Sequence, residues 1–426
     1  MDGIPCRCRQ RGVRLGCAAE VIPADVGQER STAPSGARAL LAASGFSMIG
    51  QGAALTAMPL LAASVTRDPV AVSVVAASSY AAALLVGLPA GALVDRSPLR
   101  STMVRADLLR VALLAALGLA IVGGAASIPV MTLAAFGLAV GACFFDPAAQ
   151  AMVPAVVGRD APALARVNGS LWTLDTLGRA LVGPPLGAAL FAVAAFAPFA
   201  MNAATFLVSA VILRSLPSAP PPPDREAADE GLWVQMRAGL SFTWASHALR
   251  WLALGMGAYN FGFNVAFSTL VLFVQDRLRV SEAGYGLLLS AMAVGGLAGG
   301  LLARRGHWEV SPAKLYACAL AVQGLGWLTV ALSPWVWVSG LGLAIVGSAS
   351  TAVSVVGGTA RQLASPDGML GRITSATRVV GIGSAAVGAV VGGVVGRVLG
   401  VNGPIGIACL AMALATVALL AMRRAA

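Results

Sequence analysis

Apolar runs of about 20 residues, parted by short polar breaks, recur twelve times along this chain. Six fall at about 39–63, 70–94, 102–123, 128–150, 167–191 and 195–213. A polar break from Pro217 to Glu230 follows, with prolines at Pro220, Pro221, Pro222 and Pro223, and it has the composition of a linker. Within 232–247, Trp233, Met236, Leu240 and Trp244 recur at helical spacing and predict a short interfacial helix. Six further runs fall at about 250–274, 283–303, 314–332, 335–357, 373–396 and 403–422. At 1.5 Å of rise per residue, most of these cross about 30 Å of hydrocarbon. The pattern predicts an all-α membrane protein with twelve transmembrane helices in two six-helix halves. Its expected parts are a disordered cytoplasmic tail (1–37), the first half (38–216), a linker with its interfacial helix (217–248) and the second half (249–426).

Composition agrees with lipid as the solvent. Of 426 residues, 58% are hydrophobic and 11% charged, against roughly 25% charged in soluble domains. The net charge of +11 does not signal nucleic acid, because the basic residues punctuate apolar runs and form no patch with interleaved aromatics. They report topology. With the N-terminus inside, four of the 29 basic residues lie in outside loops: Arg67, Arg277, Arg279 and Arg397. Three lie within apolar runs (Arg110, Arg179 and Arg378), and the remaining 22 lie inside. Both termini are therefore expected in the cytoplasm, and the protein in the inner membrane. The single lysine, Lys314, sits in no phosphate-binding loop, which excludes nucleotide hydrolysis by that route. Six cysteines and two histidines show no metal-ligand spacing, so no metal and no cofactor are expected.

The halves repeat. Gly91-Ala92-Leu93-Val94-Asp95-Arg96 ends the second run, and Gly299-Gly300-Leu301-Leu302-Ala303-Arg304 ends the eighth, 208 residues later. Gln150 and Pro154 find counterparts in Gln362 and Pro366 at an offset of 212. A six-helix repeat of this kind is the plan of a rocking transporter.

Three stretches carry a resemblance. Gly91-Ala92-Leu93-Val94-Asp95-Arg96-Ser97-Pro98-Leu99-Arg100 resembles the signature loop of the major facilitator superfamily, departing from it at Pro98. Phe144-Phe145-Asp146-Pro147-Ala148-Ala149-Gln150 is similar to the superfamily's enterobactin-exporter-like branch. Gly183-Pro184 with Gly187 resembles the helix-five element of drug:proton antiporters. The resemblance implies the major facilitator fold, alternating access, and export of an amphipathic small molecule (a drug, siderophore or secondary metabolite) against protons. It also implies that Asp95, with Arg96, Arg100 and Gly91, forms a cytoplasmic gate. The fourth run lacks the arginine that many proton-coupled members carry there.

Charges inside apolar runs are costly, and they normally face a cavity or one another. Asp175 and Arg179, four apart, share a helix face and are the expected proton-coupling pair, and Asp146, at the end of the fourth run, is the next candidate. Asp107 and Arg110 have the spacing of a structural ion pair. Arg378 is the deep basic residue of the second half, and Gln51, Tyr80, Asn260, Asn264 and Gln323 are polar candidates for a substrate path. Gly87 and Gly91 are expected to meet a second glycine stripe, Gly388, Gly392, Gly396 and Gly400, across the two halves. The expected partners are a small-molecule substrate, protons and lipid, with the chain acting as a monomer. The rival readings are a nutrient importer and a transport-dead membrane receptor. Enzyme activity is not expected, since no Ser–His–Asp set or paired histidine cluster is present.

Overall fold

The computed structural model describes residues 35–94, 96–158, 160–216, 232–305, 312–366 and 369–424. Most of the expected tail, residues 217–231 of the expected linker and the expected gate residue Asp95 lie outside these. The first half comprises α1 (Ser35–Val65), α2 (Pro69–Val94), α3 (Leu99–Val122), α4 (Ile128–Val157), α5 (Ala161–Val193) and α6 (Ala197–Arg214). A short helix, α7 (Leu232–Ala245), precedes the second half. That half comprises α8 (His247–Arg277), α9 (Glu282–Arg305), α10 (Pro312–Leu332), α11 (Val336–Ala364), α12 (Leu370–Leu399) and α13 (Gly403–Arg424).

Eleven of these helices have the length and apolarity to cross a membrane. The twelfth is α3, which carries Arg100, Arg105, Asp107 and Arg110. It packs against α4 and α6 and buries Asp107 and Arg110 inside the bundle, so these two charges face protein rather than lipid.

Within the first half α1 packs on α6 and α5, α2 on α4, and α3 on α4 and α6. The second half mirrors this, with α9 and α10 on α11, and α12 and α13 on α8. Small residues set these distances. A Cβ at Gly347 would strike the main chain of Met292, and one at Gly295 the main chain of Ala344, so α9 and α11 touch backbone to backbone. The short helix α7 docks on the start of α12, where Gly239 lies against the Arg372 carbonyl.

The halves meet along two pairs, α2 with α12 and α5 with α9, which the repeat interchanges. Both pairs close at the end of the bundle away from Ser35 and Arg424, here called the far side. Gly393 and Gly396 seat on Ser73 and Pro69 at the far-side start of α2, and Gly286 seats on Pro184 and Ala188. This corrects the expected glycine pairing. Gly388 and Gly392 pack within their own half, on Phe261 and Val265, Gly87 comes no nearer than Cys143 of α4, and Gly91 faces open space. The α2–α12 contact exists, but at the opposite end of α2 from Gly87 and Gly91.

Candidate functional site

Helix α5 is not a regular α-helix. Its middle, Asp175–Val182, is a π-helix, in which the Gly183 N–H reaches back five residues to Gly178. The cause lies just beyond it. Pro184 and Pro185 have no N–H to continue an α-helical ladder, and the freed backbone rearranges. The Leu181 carbonyl, which Pro185 cannot bond, accepts a hydrogen bond from the Ser290 hydroxyl of α9 at 2.9 Å. A proline defect in one half is thus satisfied by a side chain of the other. Tight packing holds the distortion in place. Gly52 sits against the Arg179 main chain, Gly183 against Gly52, and Gly187 against the Ala53 main chain.

Gly187→Ala should therefore force α1 and α5 apart, at an overpacking cost of about 1–3 kcal/mol. Gly91→Ala meets nothing within 4 Å and should leave stability unchanged. Thermal midpoints of the two purified variants check this, and equal midpoints would show that the α1–α5 contact yields.

The π-helix carries Asp175 and Arg179, which form an ion pair at 2.5 Å with side chains 32% and 45% exposed. Neither side chain is sealed by its neighbours. Asp146 of α4 is also exposed, and it lies within electrostatic reach of Arg110, Arg179, Arg378 and Asp175. Arg378, exposed on α12, brings the second half into this group. Two carboxylates and an arginine of the first half thus converge with an arginine of the second, on the terminal side of the closed seam.

The pair Asp107–Arg110 of α3 is buried instead. Its separation is 3.4 Å and its side chains are 0% and 2% exposed. The Arg110 guanidinium lies 5.0 Å from both the Phe145 and the Phe206 ring centroids, an arrangement in which the ring faces attract the cation. Gly141 leaves the room it occupies.

The remaining predicted residues divide. Tyr80 of α2 donates to Asn264 of α8 across the halves at 2.7 Å, and Asn264 is otherwise buried. Gln51 is half-buried on α1, and Asn260 borders a cavity of the second half. Gln323 contradicts its assignment. It is fully buried on α10, which packs against α11 and α13, and it presents no surface to any path. Arg96 is exposed in the turn after α2. Arg100 donates to the Leu216 carbonyl at 2.9 Å, capping the end of α6 within its own half.

One charged group was legible only as topology. At the far side Arg67 donates to Gln275 at 2.7 Å and pairs with Asp276 at 3.3 Å, while Arg397 binds Asp68 in a two-pronged contact. Arg67 and Gln275 stand 208 residues apart, the offset of the sequence repeat, so equivalent loops of the two halves meet here. That equivalence was the available signal.

The Arg397 guanidinium holds the Asp68 carboxyl below the usual carboxylate range. A lowered acid supports the closed seam while it is ionised, and that support is lost only as pH falls through the lowered value. The Asp68–Arg397 contact therefore keeps its full contribution at neutral pH. Asp68→Asn should open it in part of the population at neutral pH. Spin-label distances between the α1–α2 and α12–α13 loops should lengthen, and an unchanged distribution would refute a latch.

The profile described as transmembrane secretion effector matches residues 34–425. The chain is 30% identical over 263 residues to the multidrug efflux pump Tap of Mycolicibacterium fortuitum, covering 59% of this chain and 62% of that protein. It is 28% identical over 243 residues to the enterobactin exporter EntS of Escherichia coli, covering 56% of each. The aligned region spans less than two thirds of either relative. Among solved structures, a bacterial homologue of the iron transporter ferroportin in an inward-facing state superposes with a TM-score of 0.71 at 17% identity, covering 91% of this chain and 98% of that one. At that identity the likeness concerns the fold alone, which is that of the major facilitator superfamily.

Proposed function

We propose that this chain, which belongs to the transmembrane secretion effector family, exports an amphipathic small molecule from the cytoplasm in exchange for protons. The observation that carries the reading is the convergence of Asp146, Asp175 and Arg179 with Arg378 of the other half. Charge shared between two moving bodies changes its surroundings when they rock, which is what coupling requires. The relatives' names, an efflux pump and a siderophore exporter, support the direction of transport.

In this reading the terminal side faces the cytoplasm of a cell with an inner membrane, and the structure is closed outward. A substrate enters between the halves and competes for the Asp175–Arg179 face. The far-side seam then parts, while Asp95 and Arg96 close the cytoplasmic end with Arg100 and Gly91 nearby. Protonation of the carboxylates from outside releases Arg179 and resets the carrier. Gly183, Pro184 and Gly187 keep α5 sealed against α1 so that protons do not leak. Tyr80 and Gln51 line the route, Asn264 holds Tyr80 from the other half, and the chain works as a monomer.

Inside-out vesicles containing the purified protein test the reading. Adding a transported compound under an imposed proton gradient should dissipate the gradient in proportion to uptake. Uptake that persists undiminished after the gradient is collapsed would overturn proton coupling. A reporter fused after Arg424 should behave as cytoplasmic, and periplasmic activity there would reverse the orientation.

A further inference from the structure

A cavity of about 270 Å³ lies wholly within the second half, between α8, α10, α11 and α12. It is distinct from the Asp146–Asp175 group, although Thr377 on its wall immediately precedes Arg378. Its residues lie in the first turns of α8, α10 and α12 and the last of α11, which places it on the terminal side. Helices α11 and α12 scarcely touch, and this leaves a mouth at Gly358, where an added Cβ would meet nothing within 4 Å.

The chemistry of the lining is specific. Arg361 donates to Thr377 at 3.3 Å, but its Nε is buried without a partner. Among the described residues it has no ion pair, and the titratable side chain within its electrostatic reach is the Tyr316 phenol. The unpartnered Nε leaves part of the guanidinium fork free, and that fork matches a carboxylate or similar oxyanion. The rest of the lining is aromatic and apolar. The Tyr316 ring is pinned between Gly255 and Gly357 and meets Trp251 edge-on, with centroids 6.1 Å apart. Tyr259 and Asn260 complete the wall. The volume lies just below that of ordinary small-molecule pockets, roughly 300–1,000 Å³, and suits one end of a larger amphiphile.

We propose that this cavity binds the anionic end of an aromatic amphiphile, with Arg361 as its counter-ion and Tyr259 and Tyr316 as its aromatic wall. The inference deepens the transport reading and rests on it for the direction of movement, but not for binding itself. A substrate held here on the cytoplasmic side passes along α12 toward Arg378.

The test uses the purified full chain in lipid nanodiscs, with 2-naphthoate and its uncharged amide, 2-naphthamide, as probes in equilibrium dialysis. Wild-type protein should bind the acid in clear preference to the amide. Arg361→Gln should lower affinity for naphthoate by about tenfold or more, as expected for losing a charge-assisted contact. Arg361→Lys should retain part of it. Gly358→Leu keeps the charge, fills open space and should abolish binding of both probes while preserving the thermal midpoint. Equal binding of acid and amide by the wild type, or unchanged naphthoate affinity in a folded Arg361→Gln or Gly358→Leu protein, would overturn the proposal. The same preparation in vesicles separates the two readings. Intact proton-coupled transport with charge-blind binding sinks only this pocket. Charge-selective, Arg361-dependent binding without coupled proton movement supports the pocket and sinks the antiporter.

Discussion

Asp175→Asn should abolish uphill, proton-driven export while leaving downhill exchange of substrate in place. The carboxylate sits on the π-helix, paired with Arg179, on the cavity side of the seam. An amide there keeps the size and most hydrogen bonds but can neither take up a proton nor hold Arg179 by charge. Counterflow of labelled substrate with no gradient should continue, because the halves still rock. Accumulation against a gradient should fall to background. Insertion and folding are checked first by a thermal midpoint near that of the wild type, since the pair is partly exposed and contributes little to stability. A folded Asp175→Asn protein that still concentrates substrate would move the proton site to Asp146, the other exposed acid of the group.

Arg110→Met should have the largest effect on stability. Asp107 would remain buried with no counter-charge, and breaking one side of a buried pair costs about 3–5 kcal/mol. The methionine fits between Phe145 and Phe206 but returns nothing to the carboxylate. Either the thermal midpoint of the detergent-purified protein collapses, or it shows a new dependence on pH as Asp107 titrates. The double variant Asp107→Asn, Arg110→Met removes both charges and should recover most of the loss. If the single variant is as stable as the wild type, the pair is not structural, and Arg110 belongs with Asp146 in the cavity group.

The two charged pairs of the first half, on α3 and α5, thus serve different ends. The difference is burial: Asp107 and Arg110 are sealed by aromatic rings, whereas Asp175 and Arg179 keep part of their surface. Spacing alone would treat them alike, for both are one helical turn apart.

The membrane-crossing plan was legible in the sequence, because the requirement for about 20 apolar residues is local and each helix meets it alone. The repeat was legible too, since Gly91 and Gly299 keep their offset whatever the halves do in space. So was the depth of the charged residues, a matter of counting along a run. Which way a polar side chain points was not legible. In water a helix marks its buried face with apolar residues, but in lipid both faces are apolar, so the rotation of α10 that buries Gln323 leaves no trace in its pattern. Helix rotation likewise brings Arg378 within electrostatic reach of Asp146 and turns Arg361 into the pocket of the second half. The π-helix of α5 needed α1 and Ser290 of α9 to hold it, although Pro184 and Pro185 announced a break. The closed end of the bundle was decided by contacts between residues more than 200 positions apart, Arg67 with Asp276 and Asp68 with Arg397. Composition and periodicity fix what each helix is. How the helices turn and meet depends on packing between them, and only the tertiary structure holds that.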